Sequence, residues 1–197
     1  SKSFVYLLAP AGQRLAMERG WLPRLRTRRP LVPGTLFVAH ALQVAELHNL
    51  LIEADRSGRI ELLELVSEPA CWRSWGNSTL KPDSYVRLGI GEFEDSYFIE
   101  VDMGTEGSWA LERKLRQYVE YQATGQEQAE RGVFPKVLWT APDGQRVAAI
   151  EDCVQRLPCS AWELFMVACF REVPALFDQQ GGLPSHEKME AANSSSR

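Results

Sequence analysis

Lys81-Pro82-Asp83 and, farther along, Tyr97-Phe98-Ile99-Glu100-Val101-Asp102 are the stretches on which the fold of this chain turns. In the second, Tyr97, Ile99, Val101 and Met103 alternate with Phe98, Glu100 and Asp102, the period-two pattern of a β-strand. That pattern places Glu100 and Asp102 on one face. Neighbouring carboxylates repel unless a cation, a proton or basic groups compensate, and a hard oxygen-liganded ion such as Mg²⁺ or Mn²⁺ needs neither cysteine nor histidine. Asp83 supplies a third oxygen donor from the neighbouring strand, Tyr85 to Leu88, if the two strands pair as a hairpin across Gly89-Ile90-Gly91-Glu92. Pro82 precedes that strand, where a proline costs no ladder hydrogen bond. A plainer reading stands beside this one: an acid on a half-exposed strand face, and Pro-Asp as a turn.

After Gly104-Thr105-Glu106 the period changes to that of a helix. Leu111, Leu115, Tyr118 and Gln122 share a face, and Lys114, Tyr118 and Tyr121 run along its flank. Thr105 or Ser108 is the expected N-cap. Lys114-x-x-x-Tyr118 and Gln117-x-x-x-Tyr121 are offset by three residues, so only one of the two registers can face the strand acids. A solvated amphipathic helix is the alternative for all four residues.

Pro82-Asp83, a strand ending Glu100-x-Asp102 and a helix carrying Lys114 and Tyr118 resemble the PD-(D/E)xK nuclease superfamily, and Gln117-x-x-x-Tyr121 is similar to a helix motif of RecB-type nucleases. Tyr6-Leu7-Leu8-Ala9-Pro10-Ala11-Gly12, Val38-Ala39-His40, Ile99 to Glu106 and Lys114-Leu115-x-x-Tyr118 resemble, more narrowly, the replication-relaxation family of plasmid- and mobile-element-borne proteins. The similarity spans roughly residues 4 to 142, and its most specific block is Glu100 to Thr105 with the following helix.

The resemblance implies a restriction-endonuclease-like α/β core, a mixed central sheet flanked by helices, preceded by the remnant of a winged helix-turn-helix. It implies a catalytic set of Asp83, Glu100, Asp102 and Lys114. The metal set is Asp83 and Glu100, with Glu68 preferred over Glu46 or Glu53 as an upstream acid. The triplet Glu100-Val101-Asp102 departs from the superfamily, whose third position is the lysine that orients the attacking water. Lys114 is then a migrated lysine, or the site binds metal and cleaves nothing. His40 matches a position in the family pattern, although a histidine near a helix start also has a structural reading.

The net charge of −4 hides an uneven distribution. Residues 1 to 30 hold Lys2, Arg14, Arg19, Arg24, Arg26, Arg28 and Arg29 against Glu18 alone, so that segment is +6 and the remainder −10. Arg24, Arg26, Arg28 and Arg29 can neutralise phosphates and give salt-sensitive affinity for DNA, with Gln117, Tyr118 and Tyr121 as further DNA contacts. Pro69 to Thr79 reads as a loop carrying Trp72 and Trp75 with Arg73 between them, whose rings and cations can stack on bases or enter the core. The acidic remainder repels DNA unless metal fills its carboxylates.

The four cysteines show no metal-ligand spacing and His40, His48 and His186 are scattered, so zinc is not expected and reduced thiols in a cytoplasmic protein are. No run of membrane-spanning length and no membrane partner are expected. DNA and other plasmid or mobile-element proteins are the expected partners, with oligomerisation open. The expected organisation is the end of a winged-helix domain over 1–20, a basic linker over 21–35, a nuclease-like domain over 36–178 and a disordered tail over 179–197. Within it the pattern predicts helices at Pro10–Arg19, Leu36–Asp55 and Asp143–Leu157. Strands are predicted at 3–8, 60–66 and 133–140, with a final apolar one at 162–170.

Overall fold

The computed structural model describes residues 8–22, 34–90 and 93–176. The predicted strand at 3–8 (apart from Leu8), the connector with Arg24, Arg26, Arg28 and Arg29, and the tail from Gln179 lie outside them. The chain divides into two compact units, Ser1–Ala39 and His40–Arg197. In the first, helix α1 (Pro10–Glu18) begins at a proline, whose missing N–H is no loss in a first helical turn, and buries Ala16.

The second unit holds a five-stranded sheet of order β1-β4-β5-β6-β7, made of Glu61–Ser67, Ser84–Ile90, Phe93–Val101, Lys136–Ala141 and Phe165–Cys169. β4 runs antiparallel to both of its neighbours, β1 and β5, while β5, β6 and β7 are parallel, so the sheet is mixed. Parallel neighbours need crossovers. Helices α3 (Ser108–Ala123) and α4 (Gln126–Arg131) lie between β5 and β6, and α5 (Gly144–Gln155) between β6 and β7.

Alternation along β5 explains how two layers cover the sheet. Tyr97, Ile99 and Val101 join Val86, Leu88 and Leu138 in a core with Leu47, Leu51 and Ala54 of helix α2 (Thr35–Arg56). Phe98 joins Tyr85, Val137 and Trp139 against Leu111, Leu115, Tyr118 and Tyr121 of α3 and Ile150, Cys153 and Val154 of α5. Glu100 shares the parity of Phe98 and so enters the α3 layer as a charged residue 1 % exposed. Only a specific set of partners can hold it there.

Several expectations need correction. The strand stops at Val101, one residue before Asp102, which no longer follows the pleat. Residues 69–79 are not wholly loop, because β2 (Arg73–Trp75) and β3 (Ser78–Leu80) form a small hairpin. Helix α3 is preceded by Gly107 in extended conformation, with no side-chain cap, so neither Thr105 nor Ser108 fills that position. The apolar run 162–170 divides into a 3₁₀ turn, Cys159–Leu164, and the strand β7. Helix α2 is long and apolar enough, by length and composition alone, to cross a membrane. Its charges are few because Thr, His, Gln and Asn supply the polar positions; Leu47, Leu51 and Ala54 are buried in the core with the sheet, while Leu36, Phe37 and Leu42 are exposed.

Candidate functional site

Asp83 immediately precedes β4, tied by its N–H to the Ile99 carbonyl and by its own carbonyl to the Glu68 N–H. Its side chain is 11 % exposed, and Oδ2 accepts from the Val101 N–H at 2.7 Å and meets Nε2 of His40 at 3.2 Å. The backbone bond fixes the carboxylate against the end of β5, one residue from Glu100. His40 is the anchor from α2, and its pKa is raised by the hydrogen bond to Asp83 against the effect of burial. Glu68, exposed on the turn after β1, lies near enough to His40 to contribute to the same rise.

Glu100 is held from α3. Lys114 Nζ donates to Oε2 at 2.5 Å and the Tyr118 hydroxyl donates to Oε1 at 2.5 Å. Burial pushes the Glu100 pKa up to about 7, Lys114 opposes that rise, and the negative charge of Asp83 adds to it. Burial works to neutralise Lys114, but Glu100 and then Asp83 outweigh it and hold the ammonium above its ordinary pKa. The pair is therefore an ion pair at neutral to alkaline pH, with a carboxylate easier to protonate than a surface glutamate. Tyr118 stays neutral, since burial and Glu100 both raise its pKa.

Asp102 goes elsewhere. Its two oxygens accept from Arg146 Nε at 2.9 Å and Nη2 at 2.8 Å, a bidentate pair with α5, and Oδ1 also accepts from the Gly104 N–H. Asp102 thus fastens the β5–α3 connection to α5 while Glu100 turns to α3. The pairing is largely shielded from solvent, so Arg146→Ala is expected to cost about 2–3 kcal/mol in chemical unfolding. A loss under about 0.5 kcal/mol, the usual range for surface changes, would reject this role.

The two helical registers separate in the same way. Lys114 and Tyr118 meet Glu100, whereas the Tyr121 hydroxyl donates to Glu127 of α4 at 2.9 Å. Glu127 is 1 % exposed and also receives Arg73 and Arg131, so Tyr121 and Arg73 belong to a buried network away from the acids. Gln117 lies half-buried on α3.

The structure therefore brings together Asp83, Glu100, Lys114 and Tyr118, with His40 added and Glu68 at the margin. It leaves out Asp102, Gln117 and Tyr121, and Arg24, Arg26, Arg28 and Arg29 are outside the described residues. Among the described residues no group of three His, Cys, Asp or Glu side chains is arranged to hold a metal ion. Mg²⁺ is commonly bound by one or two carboxylates, with water and substrate phosphate completing its shell, and the donor chemistry of Asp83 with Glu100 suits that mode rather than a closed protein cage. A sequence profile described as replication-relaxation matches residues 1–137. The chain belongs to the replication-relaxation family. This membership places it in a DNA or mobile-element context. No curated protein and no solved structure matches the chain. The replication-relaxation match covers His40, Asp83, Glu100, Lys114 and Tyr118, and stops short of Arg146.

Proposed function

We propose that this protein cleaves or nicks DNA for a plasmid or other mobile element, in a site of the PD-(D/E)xK kind formed by Asp83, Glu100 and Lys114. The observation that carries the reading is the contact between Lys114 and Glu100, in which a lysine from α3 meets the strand acid although the third position of the Glu100-Val101-Asp102 triplet is an aspartate. A buried acid with a perturbed pKa and a specific charged partner, beside a second carboxylate, is the constellation enriched at catalytic sites. Asp83 and Glu100 would hold a Mg²⁺ or Mn²⁺ ion, which when bound would polarise a phosphodiester oxygen and lower the pKa of a water for in-line attack.

The chain's own residues have separable tasks in this reading. The Val101 N–H and His40 fix the Asp83 carboxylate, so its free oxygen is presented without a rotamer search. Tyr118 fixes Glu100, and Lys114 both neutralises it and carries an ammonium that can turn to a phosphate oxygen as negative charge develops. Arg24, Arg26, Arg28 and Arg29 add backbone affinity for DNA.

A second reading is a DNA- or partner-binding module that keeps the fold as a scaffold, and the structural use of Asp102 by Arg146 favours it. Calorimetric titration with Mg²⁺ or Mn²⁺ separates the two. Wild-type protein is expected to bind and Asp83→Asn, which can keep the Val101 hydrogen bond but loses the charge, to bind at least about tenfold more weakly. Equal, negligible heats from both would leave the scaffold reading standing.

A further inference from the structure

The end of the sheet that carries Asp83 and Glu100 also displays two exposed indole rings, each with a cation on one face. Ser84 pairs with Ser67 on one side and Ile99 on the other, so the loop after β1, the approach to β4 and the exit from β5 all lie at that end. Trp72 sits in the first of these, 36 % exposed, with the Lys81 ammonium 4.6 Å from its ring centre. Its loop is tied to the acids: the Cys71 thiol donates to the Pro82 carbonyl at 3.1 Å, next to Asp83. Trp109 opens α3, 72 % exposed, with the Arg113 guanidinium 4.8 Å from its ring centre.

Neighbouring aromatics show what an ordinary core role looks like here. Trp75 packs on Tyr121 at 5.1 Å, and Arg73 is consumed by Glu127. Trp72 and Trp109 have no such burial. An exposed indole beside a cation offers a π-face to a base and a positive charge to the adjoining phosphate, a pairing that suits an unstacked strand and not a duplex, whose bases have no free face.

We infer that Trp72 with Lys81, and Trp109 with Arg113, form a stacking platform that captures an unpaired DNA strand beside Asp83 and Glu100. The inference rests on the proposed reading of those acids and names its substrate as single-stranded or locally melted DNA. On it, Trp72 takes a base on the face not covered by Lys81, and Lys81 and Arg113 meet phosphates.

The test is fluorescence anisotropy of a labelled oligothymidine strand, and of a labelled duplex, on full-length protein without divalent ions. Wild type is expected to bind the strand more tightly than the duplex. Trp72→Ala is expected to weaken strand binding about tenfold and leave duplex binding unchanged, Trp72→Phe to restore most of it, and Lys81→Gln to flatten its salt dependence. Equal binding of strand and duplex, or an unchanged Trp72→Ala, would overturn the inference. Plasmid cleavage by wild type with Mn²⁺, measured beside the anisotropy, keeps the two proposals apart: strand preference without any cleavage would sink the nuclease reading alone, and cleavage without strand preference would sink the platform alone.

Discussion

Glu100→Gln is expected to lower cleavage or nicking of supercoiled plasmid in the presence of Mn²⁺ by at least about a hundredfold, the scale on which a positioned acid–base group acts. Glutamine keeps the shape of the side chain and can still accept from Tyr118, so the change is one of charge rather than packing. It removes both an anionic oxygen donor and the counter-charge that orients Lys114. A folded Glu100→Gln protein, shown by an unfolding midpoint near that of wild type, that still cleaves at the wild-type rate would reject the site. The same holds if wild type itself leaves plasmid intact with every divalent ion tried.

Lys114→Met is expected to produce the largest stability loss of any single change in the sheet's α3 layer, about 3–5 kcal/mol in denaturant unfolding. Methionine follows the path of the lysine stem but leaves Glu100, 1 % exposed, with only the Tyr118 hydroxyl and a repelling Asp83 nearby. The sign of the pH dependence follows from the direction of the Glu100 shift. A carboxyl whose pKa is raised by folding stabilises the fold while protonated, and that contribution falls as pH rises from the unfolded value through about 7. Without Lys114 the folded pKa rises further, so the penalty should grow by up to about 1.4 kcal/mol per pH unit through neutrality. Lys114→Met combined with Glu100→Gln should recover most of the loss. A small, pH-independent penalty, or no recovery in the double variant, would show that the two charges are not coupled as their geometry requires.

Much of this arrangement is written locally. The period-two run into Val101 and the 3.6-period run from Leu111 place a strand and a helix in succession, and the family resemblance then singles out Glu100, Lys114 and Tyr118 on them. Sequence spacing offers both Lys114-x-x-x-Tyr118 and Gln117-x-x-x-Tyr121, and only the position of Glu127, from a helix of six residues, absorbs the second. Elements as short as α4, β2 and β3 have too few residues for a period to show. Asp102 is misread because strand ends are uncertain by a residue or two, and a single residue decides whether its side chain follows the pleat. His40 and Arg146 are 43 and 44 residues from their partners, and nothing in local pattern encodes such contacts.

The replication-relaxation match ends at Val137, the second residue of β6, while that strand runs to Ala141. The family match and the folded sheet therefore end at different places in this chain. A fragment cut after residue 137 would strip β5 of most of its parallel neighbour, take away the α5 arginine that steadies Asp102, and bare a hydrogen-bonding edge of the kind that recruits other chains. The region beyond residue 137 delivers a strand, a helix and one well-placed guanidinium that finish what the matched part begins.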